Sequence, residues 1–323
     1  MCPVERVLNL RIVELNGPVP CRNPVVTVGT FDGVHVGHQA VLEALRYHAS
    51  AQSAESAVVT FDPHPRQVIA PDRAPPLLTT VDERAWRIEE AGIDVLAVVA
   101  FDHGVRSLEP SDFVLEYLVG YLSASAVVLG HDHGFGRDRS GDVDTLERLG
   151  ETHGFGVHSV AATDVGGEPV SSTRIRRTIA SGDLDIARPL LGGGYPVVGE
   201  VVPGDRRGRQ IGFPTANVQV DTSTKLMPRP GVYAGRAVTA GGTFDAVVNF
   251  GSRPTFDGAA QRFEAHLLDF EGDLYGTKLK LELVHRLRDE AKFESLTQLI
   301  HQITTDVDKA RALLGRHDLS TRR

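Results

Sequence analysis

The chain has 323 residues, of which 41% are hydrophobic and 24% are charged, a composition that argues against long disordered tracts. It is longer than one hydrophobic core usually serves, so the sequence predicts two domains. A formal net charge of -8 provides no sequence-wide basic field for DNA or RNA, and we therefore expect no nucleic-acid partner.

The cysteine content and the hydropathy of the chain indicate the compartment. Only Cys2 and Cys21 occur, so neither a disulfide framework nor a four-cysteine metal site can be built. The first residues lack the apolar core of a signal peptide, and no later apolar segment is long enough to cross a bilayer. We expect a cytoplasmic protein without membrane partners. The sequence leaves the oligomeric state open, including a homo-oligomer.

Short valine-rich segments recur along the first half and are separated by helix-like stretches of roughly a dozen residues or more. They are residues 25–28, 57–61, 94–100, 125–129 and 157–161. Because these segments show no polar alternation, they are typical of parallel strands that are covered on both faces. The first half is therefore predicted to be a doubly wound α/β domain, with its ligands at the carboxyl ends of the strands.

The first of these strands leads into two histidines at the start of a predicted helix. His35 and His38 are three residues apart and share one side of a helical turn, while Gly29 and Gly37 allow a ligand to approach the backbone. The free N–H groups and the dipole of a helix start attract phosphate. The imidazoles can then donate hydrogen bonds to a phosphoryl group under attack.

Two other interpretations of the histidine pair stay open on the residues alone. The pair can be an ordinary surface feature of a capped helix start. It can also contribute nitrogen ligands to zinc together with His131 and His133, although a helix start with glycines suits an anion better than a closed tetrahedral shell.

A second basic segment, SSTRIRRTI at residues 171–179, follows later in the first half. Ser172 or Thr173 can cap a helix whose first turns carry Arg174, Arg176 and Arg177, a turn that could close over a triphosphate. The first 224 residues contain no lysine, so a Walker-type lysine is excluded from this half. A solvated helix start is the alternative interpretation.

After about residue 190 the pattern changes to antiparallel strands, predicted at residues 196–202, 232–239, 245–250, 262–270 and 278–285. Leu279, Leu281 and Leu283 alternate with polar residues, as on a sheet with one wet face, and predict a small barrel or sandwich. A closing helix follows, with Ser295 and Gln298 as a capping box and Gly315 as its stop. We place the domain boundary at the glycines of residues 190–196, and predict domains 1–190 and 191–323.

Residues 199–218 contain a second set of site candidates. Thr215 and Asn217 point to the same side of an extended chain, where a hydroxyl and an amide oxygen suit Mg²⁺. The segment from Gly204 to Gly208 would form a flap over a nucleotide. Glu264 alternates with Phe263 and Ala265, so it faces a cleft if those two pack inward, and it is the candidate general base. The alternatives are a charged turn before an edge strand and a solvated strand glutamate.

The motifs together resemble a known family. GTFDGVHVGH with SSTRIR is similar to the HxGH nucleotidylyltransferase superfamily, and TFDPHP at residues 60–65 resembles the prokaryotic bifunctional riboflavin kinase/FMN adenylyltransferase family. GEVVPGDRRGRQIGFPTANV at residues 199–218 resembles the riboflavin kinase signature. GVYAG, NFGSRPTF, DLYG and RLRDEAKF follow in order between residues 231 and 293, so the resemblance covers nearly the whole chain.

This resemblance implies a Rossmann-like adenylyltransferase domain and an antiparallel β-barrel kinase domain closed by a helix. It implies ATP and Mg²⁺ as requirements, and riboflavin, FMN and ATP as the small-molecule substrates. The implied roles are catalysis for Glu264, His35, His38 and Arg176; ATP binding for Gly29, Phe31, Asp32, Gly37, Ser172, Thr173, Gly204 and Arg209; flavin binding for Phe61, Asp132, Phe135 and Arg288; and metal binding for Thr215 and Asn217.

Two departures from the family pattern bear on the first half. His133 stands where an aromatic residue is expected, and glycine replaces the usual Arg-Pro before Tyr195. These departures leave two alternatives open, a riboflavin kinase whose first half binds flavin or nucleotide with weak or no adenylylation, and a non-enzymatic flavin sensor. The HxGH motif by itself also fits a nucleotidylyltransferase for a pantetheine or polyol phosphate, although residues 199–293 argue against that alternative.

Overall fold

The computed structural model describes residues 10–130, 134–137, 140–204, 207–255 and 258–318. The chain divides into two compact units. The first unit comprises Met1–Pro76 and Arg84–Ser171, and the second comprises Leu77–Glu83 and Ser172–Arg323. The segment 172–190, which the sequence assigns to the first domain, thus groups with the second unit. The functional boundary at residues 190 and 191 stays a prediction.

The first unit is built on a six-stranded parallel sheet with strand order β1-β4-β3-β2-β5-β6. Its strands are β1 Arg11–Glu14, β2 Val25–Val28, β3 Ser56–Asp62, β4 Val95–Ala100, β5 Ala126–Gly130 and β6 Gly156–Val160. The five predicted strands are confirmed. The sequence missed β1, a four-residue edge strand that alternates between partly buried and exposed positions and therefore lacks a valine-rich pattern.

Helices cover both faces of this sheet. They are α1 Val36–Ala51, α2 Pro65–Ile69, α3 Val81–Glu90, α4 His103–Ser107, α5 Pro110–Phe113 and α6 Val143–His153, with a 3-10 turn at Pro71–Arg73 and a π-helical segment at Val114–Tyr121. Val26 and Val28 belong to one core cluster, and Val25 belongs to another. The strands are therefore buried on both faces, which confirms the doubly wound fold. A small ribbon of β7 Asp164–Val165 and β8 Glu168–Pro169 follows.

The second unit is a closed antiparallel barrel with strand order β10-β13-β12-β11-β14-β9. Its strands are β9 Tyr195–Val202, β10 Ala216–Gln219, β11 Gly231–Thr239, β12 Gly242–Thr255, β13 Gly258–Leu267 and β14 Lys278–Arg288. Its helices are α7 Ser172–Ser181, α8 Leu184–Leu191, α9 Arg207–Gln210 and α10 Leu296–Asp318. Leu279, Leu281 and Leu283 are buried, so the alternation that predicted a one-sided sheet is confirmed.

Three local predictions need correction. Helix α10 continues through Gly315 to Asp318, so this glycine is not a stop. Ser295 does accept a hydrogen bond from the Gln298 N–H, but the Gln298 side chain accepts from Glu294 N–H rather than closing a box on Ser295. Helix α7 begins at Ser172, which places Ser172 in its first turn and not at the cap.

Two of the glycines before β9 are held in place by their backbone conformation and contacts. Gly192 adopts φ 69° and ends α8 in the left-handed conformation that glycine favours. Gly194 donates its N–H to Glu282 Oε1 at 2.8 Å, and a Cβ there would lie 2.6 Å from Leu283 O. The absence of a side chain therefore permits a close strand contact rather than flexibility.

A buried lysine, which the sequence did not reveal, ties the segment Leu77–Glu83 into the second unit. Lys225 is 3% exposed, and its Nζ donates to Glu83 Oε2 at 2.7 Å, to Leu78 O at 3.1 Å and to Pro196 O at 3.0 Å. Glu83 also accepts the Val198 N–H at 3.0 Å. Because each buried charge has a partner, the desolvation of the pair is compensated by short polar contacts.

Candidate active sites

The first candidate site lies where the strand order of the parallel sheet reverses. Strand β2 has β3 on one side and β5 on the other, so the chain leaves β2 at a topological switch point. Such points, at the carboxyl ends of strands, are where open α/β sheets bind ligands. The segment from Gly29 to His35 leaves β2 there and leads into α1.

The backbone of this segment is shaped by unusual dihedral angles. Gly33 has φ 89°, while Phe31 and Val34 have φ 47° and 39°, values that non-glycine residues seldom adopt. Such strain tends to persist at functional sites. Asp32 is buried, and the ring of Phe31 packs 5.1 Å from that of His38. Gly29, Phe31, Asp32 and the histidine pair are therefore all brought to one end of α1.

The two histidines stack on each other at the helix start. His35 is the N-cap residue of α1, and its Nδ1 accepts the His38 backbone N–H at 3.3 Å. The two rings lie 3.7 Å apart at 12°. A Cβ on Gly37 would come within 3.3 Å of the His35 ring, so glycine leaves room for that ring. His35 is thus part of the helix cap, as one of the alternatives supposed, but it is buried and not an ordinary surface histidine. The pair lies at the helix start, where the sequence predicts anion binding.

Burial lowers the pKa of His35 to about 4, an effect that the nearby Asp32 carboxylate partly opposes. The ring is therefore neutral near pH 7. Because Nδ1 accepts the helix N–H, the proton of the neutral ring is on Nε2, which makes that nitrogen a hydrogen-bond donor. A neutral donor at a helix start can bind a phosphate oxygen without adding a buried positive charge.

The lowered pKa of His35 predicts acid sensitivity of the fold. The unfolded histidine binds a proton below pH 6.5, whereas the folded one does so only below about 4. Between these values only the unfolded chain gains the proton, so stability falls as the pH falls. When the pH is lowered from about 7.5 to about 5, we expect this group to lower the free energy of unfolding by about 2 kcal/mol.

Urea unfolding of the wild type and His35→Gln at both pH values measures this difference. The variant should lose about 2 kcal/mol less on acidification. His103→Gln, which changes an exposed histidine of the same unit, should keep the wild-type difference. Equal losses for the wild type and His35→Gln would mean that His35 is not the titrating group.

The predicted flavin-binding residues of this unit are only partly described. Phe61 is the last residue but one of β3 and packs against the core cluster of the sheet that contains Phe135. Phe61 also has edge contact with Phe101 at 5.6 Å. Phe61 and Phe135 therefore share one apolar core, but no ring contact joins them among the described residues. Asp132 and His133 lie outside the described residues, as does His131.

The arginine-rich turn lies on α7, in the second unit. Ser172, Thr173 and Arg176 occupy the first turns of that helix, and Ile175 anchors it by burial. Their assignment to the adenylylation site stays a prediction. Among the described residues, no group of three or more His, Cys, Asp or Glu is placed to hold a metal ion. The zinc alternative required His131 and His133, which lie outside those residues.

The second candidate site is a cavity of about 560 Å³ in the barrel unit. This size is typical of small-molecule sites. The lining combines Thr215, Asn217 and Glu264 with apolar residues of α10 and with Arg288. The structure thus brings the predicted pair of Thr215 and Asn217 together with Glu264 and Arg288, which lie elsewhere in the sequence. Phe263 and Ala265 are buried, so the expectation that Glu264 faces a cleft is met.

The strand register places the polar residues of this cavity in one row. Asn217 on β10 pairs with Glu264 on β13, and Glu264 pairs with Asn249 on β12. Directly opposed residues of neighbouring strands point to the same face, so a carboxylate lies between two amides. Asn249 was not singled out by sequence reasoning, since its position depends on the register of a distant strand.

The glycine flap meets this row at Asn217. A Cβ on Gly204 would lie 2.2 Å from Asn217 Nδ2, and one on Gly208 would lie 2.3 Å from Phe213 O. Asn217 is 8% exposed, so its amide is held against the flap backbone. Residues 205 and 206 lie outside the described residues. Arg209 lies on α9, whose other three residues line the cavity while Arg209 does not.

The oxygens available here fit Mg²⁺. Hard cations prefer oxygen ligands, and Mg²⁺ keeps several water and phosphate ligands beside one or two from the protein. Thr215 and Asn217 provide a hydroxyl and an amide oxygen on one cavity wall, close to the carboxylate of Glu264. The tight contact between Gly204 and Asn217 limits where the amide can lie.

Because of this contact, position 204 has no room for a side chain. Gly204→Ala should displace the Asn217 amide by overpacking. The phosphorylation that the sequence resemblance implies should then slow by about tenfold, the order of loss when a metal ligand is no longer oriented. Initial rates at varied magnesium concentration measure the effect, which should include a higher magnesium requirement.

Gly241→Ala is the matched control, since a Cβ there would meet its nearest atom, Thr239 Oγ1, at 3.6 Å. If Gly204→Ala and Gly241→Ala have the same rate and magnesium requirement, the flap does not position Asn217.

Arg288, the predicted flavin ligand of the barrel, is paired with a buried carboxylate. Its Nε donates to both Asp306 oxygens, at 3.1 and 2.9 Å, and its Nη2 lies 2.8 Å from Asp306 Oδ2. Sequence reasoning missed Asp306. The available signal was its spacing, since it follows Ile303 by three residues on the otherwise apolar stripe of α10.

The chain thus has two separate candidate sites of different kinds, a helix start with stacked histidines on the parallel sheet and an oxygen-lined cavity in the barrel. Residues 20–174 match the family model described as FAD synthetase, and residues 191–314 match the model described as riboflavin kinase. The chain belongs to the bifunctional riboflavin kinase/FMN adenylyltransferase family, as the sequence motifs predicted.

Two curated relatives support this membership. The bifunctional riboflavin kinase/FMN adenylyltransferase of Pseudomonas fluorescens is 40% identical over 293 residues, which cover 90% of this chain and 93% of the relative. The protein of the same name from Escherichia coli K12 is 37% identical over 297 residues, covering 92% of this chain and 94% of the relative.

A solved structure from Streptococcus pneumoniae, titled as a macrolide-efflux protein, is 30% identical and has a TM-score of 0.77. It covers 94% of this chain, and this chain covers 98% of it. In the described part of this chain, no helix is both long and apolar enough to span a bilayer.

Proposed function

We propose that the barrel unit phosphorylates riboflavin to FMN with ATP, and that the site at the start of α1 transfers the adenylyl group of a second ATP to FMN. FAD and pyrophosphate are the final products. One observation carries the proposal most strongly: a single cavity of about 560 Å³ collects Thr215, Asn217 and Glu264 beside apolar residues. We place this activity in the cytoplasm.

In the kinase reaction, Glu264 takes the proton of the terminal ribityl hydroxyl while that oxygen attacks the γ-phosphorus of ATP. The bond from the γ-phosphorus to the bridging oxygen breaks, and ADP leaves. Asn217 and Asn249 flank the carboxylate in the strand register and help to orient it. Phosphoryl transfer depends mainly on alignment and charge neutralisation, and a pre-formed cavity supplies the first of these.

Thr215 and Asn217 would hold Mg²⁺ beside the ATP phosphates. When bound, Mg²⁺ neutralises phosphate charge and polarises the phosphoryl oxygens. The contact between Gly204 and Asn217 supports this assignment, because it fixes an amide that would otherwise move freely.

In the adenylylation reaction, an FMN phosphate oxygen attacks the α-phosphorus of ATP, and pyrophosphate leaves. The Nε2–H of neutral His35 and the ring of His38 donate hydrogen bonds to the phosphate oxygens on which charge grows. We assign Arg176 to the same phosphates by its motif. No covalent intermediate is needed, since both substrates bind at one switch point.

The test is to incubate the purified protein with riboflavin, ATP and magnesium and to separate FMN from FAD by chromatography. Formation of both flavins supports the proposal. FMN without FAD would indicate the alternative, a kinase whose first unit binds ligand but does not adenylylate. If neither FMN nor FAD forms, both the bifunctional enzyme and the kinase alone are rejected. Riboflavin binding would then test the flavin-sensor alternative.

A further inference from the structure

Helix α10 forms one wall of the barrel cavity, and this wall contains a buried carboxylate. Leu296, Leu299 and Ile303 line the cavity together with Asp306. Asp306 is only 1% exposed, although carboxylates are seldom fully buried unless they are paired. No step of the proposed kinase mechanism uses this residue directly, so its place on the cavity wall requires another explanation.

The partners of Asp306 fix it firmly. Arg288 approaches in a forked arrangement, with Nε 3.1 Å from Oδ1 and Nη2 2.8 Å from Oδ2. The Gln302 amide, one helical turn earlier, donates to Oδ1 at 2.9 Å. Forked pairs of this kind determine orientation as well as contributing energy. The arrangement therefore holds the plane of the Arg288 guanidinium relative to α10.

Arg288 keeps donors for a ligand after these contacts. A guanidinium has five N–H groups. In the described part of the chain three are used: Nε and one Nη2 proton by Asp306, and one Nη1 proton by the Asp289 carbonyl at 2.9 Å. Two N–H groups of Arg288 remain for a ligand. The Arg288 side chain lines the cavity, and its guanidinium carbon lies 5.8 Å from the centre of the Phe293 ring.

The charge of the pair indicates which substrate it serves. Asp306 neutralises Arg288, so the pair offers hydrogen-bond donors without a net positive charge. A phosphate would be bound more strongly by an arginine free of a carboxylate partner. An uncharged heterocycle with carbonyl oxygens is the better match, because it needs donors and gains nothing from an added charge. Riboflavin has such a ring system.

We propose that Asp306 is a positioning residue for the kinase reaction, which holds the Arg288 guanidinium in the orientation that binds the riboflavin ring system. The inference rests on the proposed kinase function and extends it to a residue that acts through another. It explains why a charged residue interrupts the apolar stripe of α10.

Asp306→Asn tests the proposal, because asparagine keeps the size of the side chain but loses the charge that fixes the fork. The Kd for riboflavin, measured by flavin fluorescence, should rise about tenfold, the usual effect of losing a charge-assisted hydrogen bond. The KM for riboflavin should rise in parallel, whereas the KM for ATP should change by less than about twofold. A merely structural role would not produce this split.

A second ion pair on α10 offers a matched control. Arg311 binds Asp269 through two contacts of 2.8 Å, and both side chains are largely exposed. Asp269→Asn removes a carboxylate that pairs with the same helix, away from the cavity lining. It should leave the Kd for riboflavin unchanged. An equal rise for Asp269→Asn and Asp306→Asn would overturn the proposal, since helix loosening would then explain both.

A double-mutant cycle with Arg288→Ala shows whether Asp306 acts through Arg288. In the Arg288→Ala background, Asp306→Asn should not weaken riboflavin binding further. Additive losses would overturn the proposal, as would a riboflavin Kd for Asp306→Asn within about twofold of wild type.

Arg288→Lys provides a second variant if Asp306→Asn does not fold. Lysine keeps the charge for Asp306 but lacks the fork, so the same selective rise in the riboflavin Kd is expected. An unchanged Kd for Arg288→Lys would overturn the inference. A wild type that forms no FMN would count against the proposed function itself. An active wild type with no selective effect in either variant would count only against the positioning role.

Discussion

Replacing Glu264 by glutamine is expected to reduce FMN formation by a factor of about 10²–10⁴, the usual contribution of a general base. Glutamine has nearly the same shape but cannot take the proton of the attacking hydroxyl. The carboxylate lies between Asn217 and Asn249 in the strand register, so the isosteric change should leave the barrel intact. Chromatography of the products formed from riboflavin and ATP measures the loss.

The adenylylation of added FMN should proceed at the wild-type rate in Glu264→Gln, because that reaction is assigned to the other unit. Glu200→Gln, which changes an exposed glutamate on β9 of the same barrel, should not affect FMN formation. Retention of more than about a tenth of the wild-type kinase rate by Glu264→Gln would show that another group takes the proton.

The sequence could predict the features that depend on residues close together in the chain. The valine-rich strands of the sheet appear in one short window each, and the alternation around Leu281 marks the wet and dry faces of β14. The helix start at His35 is likewise local, since its cap, its glycines and its histidines follow one another. These signals depend on neighbours in the chain, and the structure agrees with each of them.

The features that sequence could not predict depend on distant partners. Glu83 meets Lys225 from 142 residues away, and nothing in either segment identifies the other. The pairing of Glu264 with Asn249 depends on strand register, and a shift by one residue would turn the side chain to the other face. The need for glycine at position 204 arises only because Asn217 occupies the space.

Replacing His38 by asparagine should reduce FAD formation from FMN by a factor of about 10²–10³, the typical effect of removing one donor from a stabilised transition state. His38 is the simpler target of the pair, because the His35 ring has a second role as the acceptor that caps α1. FMN formation from riboflavin should not change. Assays with FMN and ATP, and separately with riboflavin and ATP, measure the two rates.

His48→Asn is the matched control, since His48 lies in the last turn of the same helix. It should retain wild-type FAD formation. An equal loss in His38→Asn and His48→Asn would point to damage to α1 rather than to a missing donor.

The stacking of the His35 and His38 rings also predicts how substitutions of the two residues combine. Because His35 and His38 lie 3.7 Å apart and nearly parallel, removing one ring also removes the surface that orients the other. Their contributions to the rate should therefore be non-additive, and the double variant with His35→Gln should be little slower than His38→Asn alone. Losses that multiply would mean that each ring serves a separate group of the substrate. In that case the stacked geometry at the start of α1 would not be the arrangement that acts on the phosphates.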